Sequence, residues 1–129
     1  MDPVKVLQRA YQDELLDALR AEGAAQGVPY PHVRALLLEV ARRERAHAEA
    51  LAEALRRRGA PLPPTPKPEE GGWETLLRLL SEEGLDRAYY LESTFPDPEL
   101  EPLFTRLDQQ ERNNQEAVRK AVMLIGGGL

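Results

Sequence analysis

The chain has 129 residues, of which 42% are hydrophobic and 30% charged, a balance that suits one packed domain and excludes a disordered polyelectrolyte. A formal net charge of −5, with no like-charged block beyond Arg56-Arg57-Arg58, argues against a nucleic-acid partner. There is no cysteine, which excludes disulfides, thiolate metal sites and a thiol nucleophile.

Asp2-Pro3 reads as a helix N-cap followed by proline at the first helical position, and the first helix is expected to run to about Ala25. Gly27-Val28-Pro29 breaks it. Pro31 restarts the chain, and a second helix continues to about Arg58, with Gly59 as its C-terminal cap. The arginine run then falls at a helix C-terminus, where cations suit the helix dipole. Residues 59–72, GAPLPPTPKPEEGG, are too rich in proline and glycine for regular helix and read as a semi-rigid crossover linker. A third helix is expected from about Trp73 to Thr94. Pro96-Asp97-Pro98 turns the chain, and a fourth helix runs from about Glu99 to Ile125, with Pro102 in its first turn. The remaining 126–129 read as a frayed tail.

No segment shows strand-like alternation. Short connections within each helix pair imply two antiparallel hairpins, and the linker joins them. The expectation is therefore an all-α, antiparallel four-helix bundle filling residues 1–129 as one domain. No apolar stretch approaches the roughly 20 residues that a membrane span needs, and Met1-Asp2-Pro3 leads straight into an amphipathic segment without a signal sequence. A cytoplasmic protein with no membrane partner is expected.

The two halves resemble each other. Glu14-Leu15-Leu16-Asp17 parallels Glu83-Gly84-Leu85-Asp86, at an offset of 69 residues. Leu36, Val40, Glu44 and Arg45 parallel Leu103, Leu107, Glu111 and Arg112, at an offset of 67. A two-residue difference in hairpin loop length explains the shift.

The matched positions include polar residues on core stripes. The second helix has apolar residues at Val33, Leu36, Leu37, Val40, Leu51 and Leu55, and the gap in that stripe falls on Glu44 and His47. In the fourth helix Leu100, Leu103, Phe104, Leu107, Val118, Val122 and Ile125 flank Glu111 and Asn114. The first helix carries Leu7, Tyr11, Ala18, Ala21 and Ala25 around Glu14, and the third carries Leu76, Leu79, Leu80, Tyr90 and Leu91 around Glu83. Each helix thus sets one glutamate on its inward face near its middle. Buried carboxylates are costly without compensation. Two divalent ions would match four glutamates in charge, and oxygen and imidazole donors suit iron, manganese or zinc. The i, i+3 spacing puts Glu44 and His47 side by side, within reach of one ion.

One glutamate from each of two helices, with Glu-x-x-His from the other two, is the pattern of the di-metal carboxylate bundles. Glu44-Arg45-Ala46-His47 matches it fully, and Glu111-Arg112-Asn113-Asn114 matches it with asparagine in place of histidine. Over about residues 4–125 the chain resembles the ferritin-like superfamily, and more narrowly its rubrerythrin-like branch. The resemblance implies a di-iron or di-manganese centre held by Glu14, Glu44, His47, Glu83, Glu111 and Asn114. It also implies peroxidase or oxidase chemistry with oxygen or peroxide as oxidant. Two departures qualify it. Asn114 is a poor ligand, so one metal position is expected to be weak, water-filled or lost, leaving one site occupied. Rubrerythrins proper also carry a cysteine-ligated iron centre, which this chain lacks, so redox function would need an external electron donor.

Alternatives stand beside each assignment. Asp13 and Asp17 are rivals to Glu14, and Glu82 to Glu83, after a small register error. His47 also reads as a core histidine, Glu111 as an ion-pair partner of an arginine across the bundle, and Asn114 as a hydrogen-bonding neighbour of the ligands. Tyr11 and Tyr90 read as core packing, and His32 as a surface residue. A competing function is a degenerate bundle without catalytic metal that serves as a dimerisation or partner-binding module, with Arg87 as a cationic substitute beside Glu83. A homodimer is expected in either case.

Overall fold

A computed structural model describes residues 2–67 and 99–128. The described residues form three helices and no strand: α1 (Pro3–Gln26), α2 (Pro31–Arg57) and α3 (Leu100–Gly128). The expected helix over 73–94, with Trp73, Glu82, Glu83, Gly84, Arg87 and Tyr90, lies outside them.

The ends of the helices follow from local chemistry. The Asp2 carboxylate accepts a hydrogen bond from the Val4 amide at 2.9 Å, and Pro3 occupies a first-turn position where no backbone N–H is needed. Helix α2 also opens with a proline, and Tyr30 at its N-cap provides no side-chain bond. At the other end of α2, Gly59 adopts φ 66°, the left-handed region that an L side chain enters only at a cost. Its N–H donates to the Arg56 carbonyl at 3.0 Å, and the Ala60 N–H donates to the Leu55 carbonyl at 3.0 Å. This is the Schellman closure, and Ala60 packs on the core cluster that contains Leu55. Pro102 stands in the first turn of α3, where its missing N–H breaks no helical bond. Helix α3 runs on through Gly126–Gly128, which the sequence reading assigns to a tail.

Two apolar clusters set the directions of the helices. One gathers the end of α1 (Ala21, Ala24, Ala25), the start of α2 (Val33, Leu37, Val40) and Val118 of α3. The other gathers the start of α1 (Val6, Leu7, Ala10), the end of α2 (Leu51, Ala54, Leu55) and the start of α3 (Leu100, Leu103, Phe104, Leu107). Hence α1 and α2 are antiparallel, and α3 runs antiparallel to α2 and parallel to α1. Arg45 clamps the hairpin from outside with two bonds to Glu22 at 2.9 and 2.7 Å. Beyond α2 the chain passes back along α1, where Gln8 donates to the Pro61 carbonyl at 3.0 Å and Gln12 to the Pro64 carbonyl at 3.2 Å. Among the described residues no helix is long and apolar enough to cross a membrane.

Candidate metal centre

Between the two apolar clusters lies a polar layer. Glu14 of α1, Glu44 and His47 of α2, and Glu111 and Asn114 of α3 are all buried, four of them with no exposed surface and His47 at 4%. The sequence places each of them in the gap of an apolar stripe, and the Leu residues one or two turns away on each helix carry the gap into the core. Glu14, Glu44, His47 and Glu111 each direct one ligand-type atom to a common point, these atoms lying within 4.8 Å of one another.

His47 organises the layer. Its Nδ1 lies 3.0 Å from Glu111 Oε1 and 3.3 Å from Glu14 Oε2. With carboxylate oxygens on both sides, Nδ1 carries the proton and donates to each. Asn114 Nδ2 donates to Glu44 Oε1. Complete burial pushes the Glu14 carboxyl up, but hydrogen bonds with Glu44, His47 and Glu111 and the charge of His47 outweigh it and bring Glu14 below the ordinary carboxylate value. The surroundings of Glu14 therefore favour its charged form.

The two rivals of Glu14 lie elsewhere on α1. Asp13 is half-buried and faces Arg9 at 3.8 Å, on the outer side of α1. Asp17 is buried like Glu14 but lies one turn on, 3.9 Å from the equally buried Arg20. The sequence reading weighs Asp17 only as a substitute for Glu14 and overlooks Arg20. The i, i+3 spacing of the pair was the available signal. The arginines beside the cluster in sequence turn away from it, Arg45 to Glu22 and Arg112 to Asp108 at 3.4 Å. The arginine run at the end of α2 is likewise engaged with acids: Arg56 with Glu49 at 2.9 Å, and Arg57 and Arg58 with Glu99 at 3.6 and 3.9 Å. Tyr11 packs against the apolar cluster at the start of α1, and His32 is exposed. Glu83 lies outside the described residues.

The donor set fits a metal ion. Three carboxylates and one imidazole, converging in a layer sealed by apolar clusters on both sides, bring net negative charge into a low-dielectric space, and a divalent cation is the natural counter-charge. Its donors are the hard and borderline ones favoured by first-row metals. The profile of the rubrerythrin family matches residues 5–122. This chain belongs to the rubrerythrin family. That places it in the ferritin-like superfamily, whose all-helical architecture agrees with the three helices described. Searches of curated proteins and of solved structures returned no match. As a rubrerythrin-family member it brings to the centre one complete Glu-x-x-His motif and one in which Asn114 stands for histidine.

Proposed function

We propose that this protein binds iron or manganese at the buried carboxylate–histidine layer and works as an oxidoreductase or metal-handling protein. The observation that carries the reading is the convergence of Glu14, Glu44, His47 and Glu111 on one point inside a water-excluding core. In this reading Glu14, Glu44, His47 and Glu111 hold the first ion, with the proton on His47 Nδ1 displaced on binding. The family's dinuclear arrangement is completed by Glu83 from a fourth helix over 73–94, so that the fold is an antiparallel four-helix bundle with 59–72 as its crossover. The metal would supply one-electron redox chemistry toward oxygen or peroxide. The protein's own part is to orient the carboxylates, hold the imidazole tautomer and keep bulk water out. Because the chain has no cysteine, reducing electrons come from a separate donor. A cytoplasmic location and a homodimer complete the proposal.

Elemental analysis of protein reloaded with iron or manganese, together with thermal melts with and without the metal, tests it. Retained metal and a raised melting temperature are expected, because a ligand that binds only the native state stabilises it. Protein that keeps no metal and melts unchanged would defeat the reading.

A second reading is favoured by one observation. Part of the layer's hydrogen bonding is met by its own side chains, His47 bridging Glu14 and Glu111 and Asn114 bonding Glu44. A degenerate bundle that serves as a partner-binding module would look like this, and the same melts separate the two.

A further inference from the structure

Asn114 follows Glu111 on α3 as His47 follows Glu44 on α2, three residues on in each case. The two motifs meet crosswise: His47 reaches Glu111, and Asn114 reaches Glu44. The geometry is reciprocal, but the chemistry is not. An imidazole Nδ1 sheds its proton and then offers a lone pair to a cation. A primary amide keeps both N–H protons, and its nitrogen has no lone pair to give. The oxygen of Glu44 that a second ion would need is therefore faced by a permanent donor. What Asn114 has left is Oδ1, a neutral acceptor that is buried and finds no hydrogen-bond partner among the described residues.

We propose, on the basis of the metal-binding reading above, that Asn114 is the residue that makes this centre unequal. One ion is held tightly by Glu14, Glu44, His47 and Glu111. The second position, on the Asn114 side, has lost its imidazole, and its Glu44 oxygen is occupied by the amide. The centre fills one ion at a time, and its resting content is one ion per chain. Asn114 acts here as a specificity-determining residue for metal number, through Glu44.

The full-length protein, freed of metal with chelator and dialysed, is titrated with Mn2+ by calorimetry, and the product is inspected by electron paramagnetic resonance. Wild type is expected to bind one ion, with a second at least roughly 100-fold weaker, since losing a ligand costs no less than the 10–100-fold of losing a ligand's supporting partner. Its spectrum at one equivalent is that of an isolated Mn2+ ion. Asn114→His should take up two ions of similar affinity and show the exchange-coupled spectrum of a neighbouring pair. If Asn114→His fails to fold, Asn114→Asp supplies an anionic ligand at the same place and should bring in the second ion. Two equally tight ions in wild type, or a second ion bound no tighter in Asn114→His and Asn114→Asp than in wild type, would overturn the proposal while leaving the metal-binding reading intact. No bound Mn2+ in wild type would remove both.

Discussion

Replacing Glu111 by glutamine should stabilise the metal-free protein and destabilise the metal-loaded protein relative to wild type. The ligand atoms of Glu111, Glu14 and Glu44 lie within 4.8 Å of one another. At an effective dielectric near 20, two unit charges at that distance repel by about 3.5 kcal/mol. The surroundings of Glu14 favour its charged form. A charged Glu111 beside it adds that repulsion to the metal-free fold. Glutamine removes that cost at position 111 and keeps an oxygen for His47 Nδ1–H to bond. Exchanging a charged acceptor for a neutral one gives back about 1 kcal/mol. The balance is a gain of about 1–3 kcal/mol, or roughly 4–12 °C in melting temperature for a domain of this size. With metal the order inverts, since wild type gains about 4.1 kcal/mol at a metal concentration 1,000 times its dissociation constant, more than the variant's advantage, and the variant has lost a ligand. Calorimetric melts of both proteins in chelator and in excess Mn2+ measure the crossing. A variant that melts at or below wild type in chelator would refute the charge argument, and equal metal-induced shifts in the two proteins would refute the role of Glu111 as a ligand.

Substitution of His47 by alanine should weaken metal binding by about 100-fold or more while leaving helical content unchanged, because the imidazole is a donor and its neighbours in α2 are good helix formers; titration calorimetry and circular dichroism give the two answers. A carboxyl whose folded-state pKa lies below its unfolded value stabilises the fold above the unfolded value and loses that contribution as pH falls through the folded one. Glu14 is such a group, so in chelator the advantage of wild type over Glu14→Gln in urea melts should be full near neutrality and shrink as pH drops below the ordinary value of 4.5. An advantage that grows in acid would contradict the direction of the shift. Gly59→Ala should cost about 1–2 kcal/mol from backbone conformation alone, because a Cβ at that position meets nothing within 4 Å; urea denaturation of the two proteins checks it.

Much of this structure is legible in the residues that end helices and line cores. Asp2-Pro3, Pro31 and Gly59 mark three termini because each meets a backbone requirement that few other residues meet. The stripe residues Leu7, Leu37, Leu51, Leu55, Leu100 and Leu107 are fully or almost fully buried. Glu14, Glu44, Glu111 and Asn114 stand out in sequence because a polar residue in an apolar stripe needs a partner, and the structure supplies one. Arg20 and Asp108 escaped this reading. A stripe describes the arc of a helix that faces one neighbour, whereas a helix in a bundle is covered from two sides, so residues off the stripe are buried as well. Sequence also shows that Asn114 stands where a histidine would, but not that its amide nitrogen points at Glu44, which depends on the packing of α3 against α2.

The direction of α3 ties the fold to the site. In two antiparallel helices, motifs of the form Glu-x-x-His meet head to tail, so that each carboxylate faces the other helix's fourth residue. His47 against Glu111 and Asn114 against Glu44 are that arrangement. Were α2 and α3 parallel, Glu44 would face Glu111 and His47 would face Asn114, and two carboxylates would oppose each other with no donor between them. Antiparallel packing of α2 and α3 has a topological consequence. Helix α2 ends, and α3 begins, at the same end of the molecule, beside Leu7, Leu55 and Leu100. For the proposed helix over 73–94 to pair antiparallel with α3, it must start at the far end, and the chain after Arg58 must climb the full length of the hairpin. Helices of 24 and 27 residues measure roughly 36–40 Å at 1.5 Å per residue. Fifteen residues, the number from 58 to 72, are enough to span roughly 45 Å at the ~3.1 Å per residue of a polyproline-type chain. Proline serves this passage well, since it stiffens an extended chain and removes N–H groups that would otherwise need partners. The carbonyls that remain at Pro61 and Pro64 are taken up by Gln8 and Gln12, in ascending order along α1. In the proposed four-helix bundle, the proline-rich linker is the connection that lets the two candidate metal-binding motifs face each other in the one relative direction that pairs donors with carboxylates.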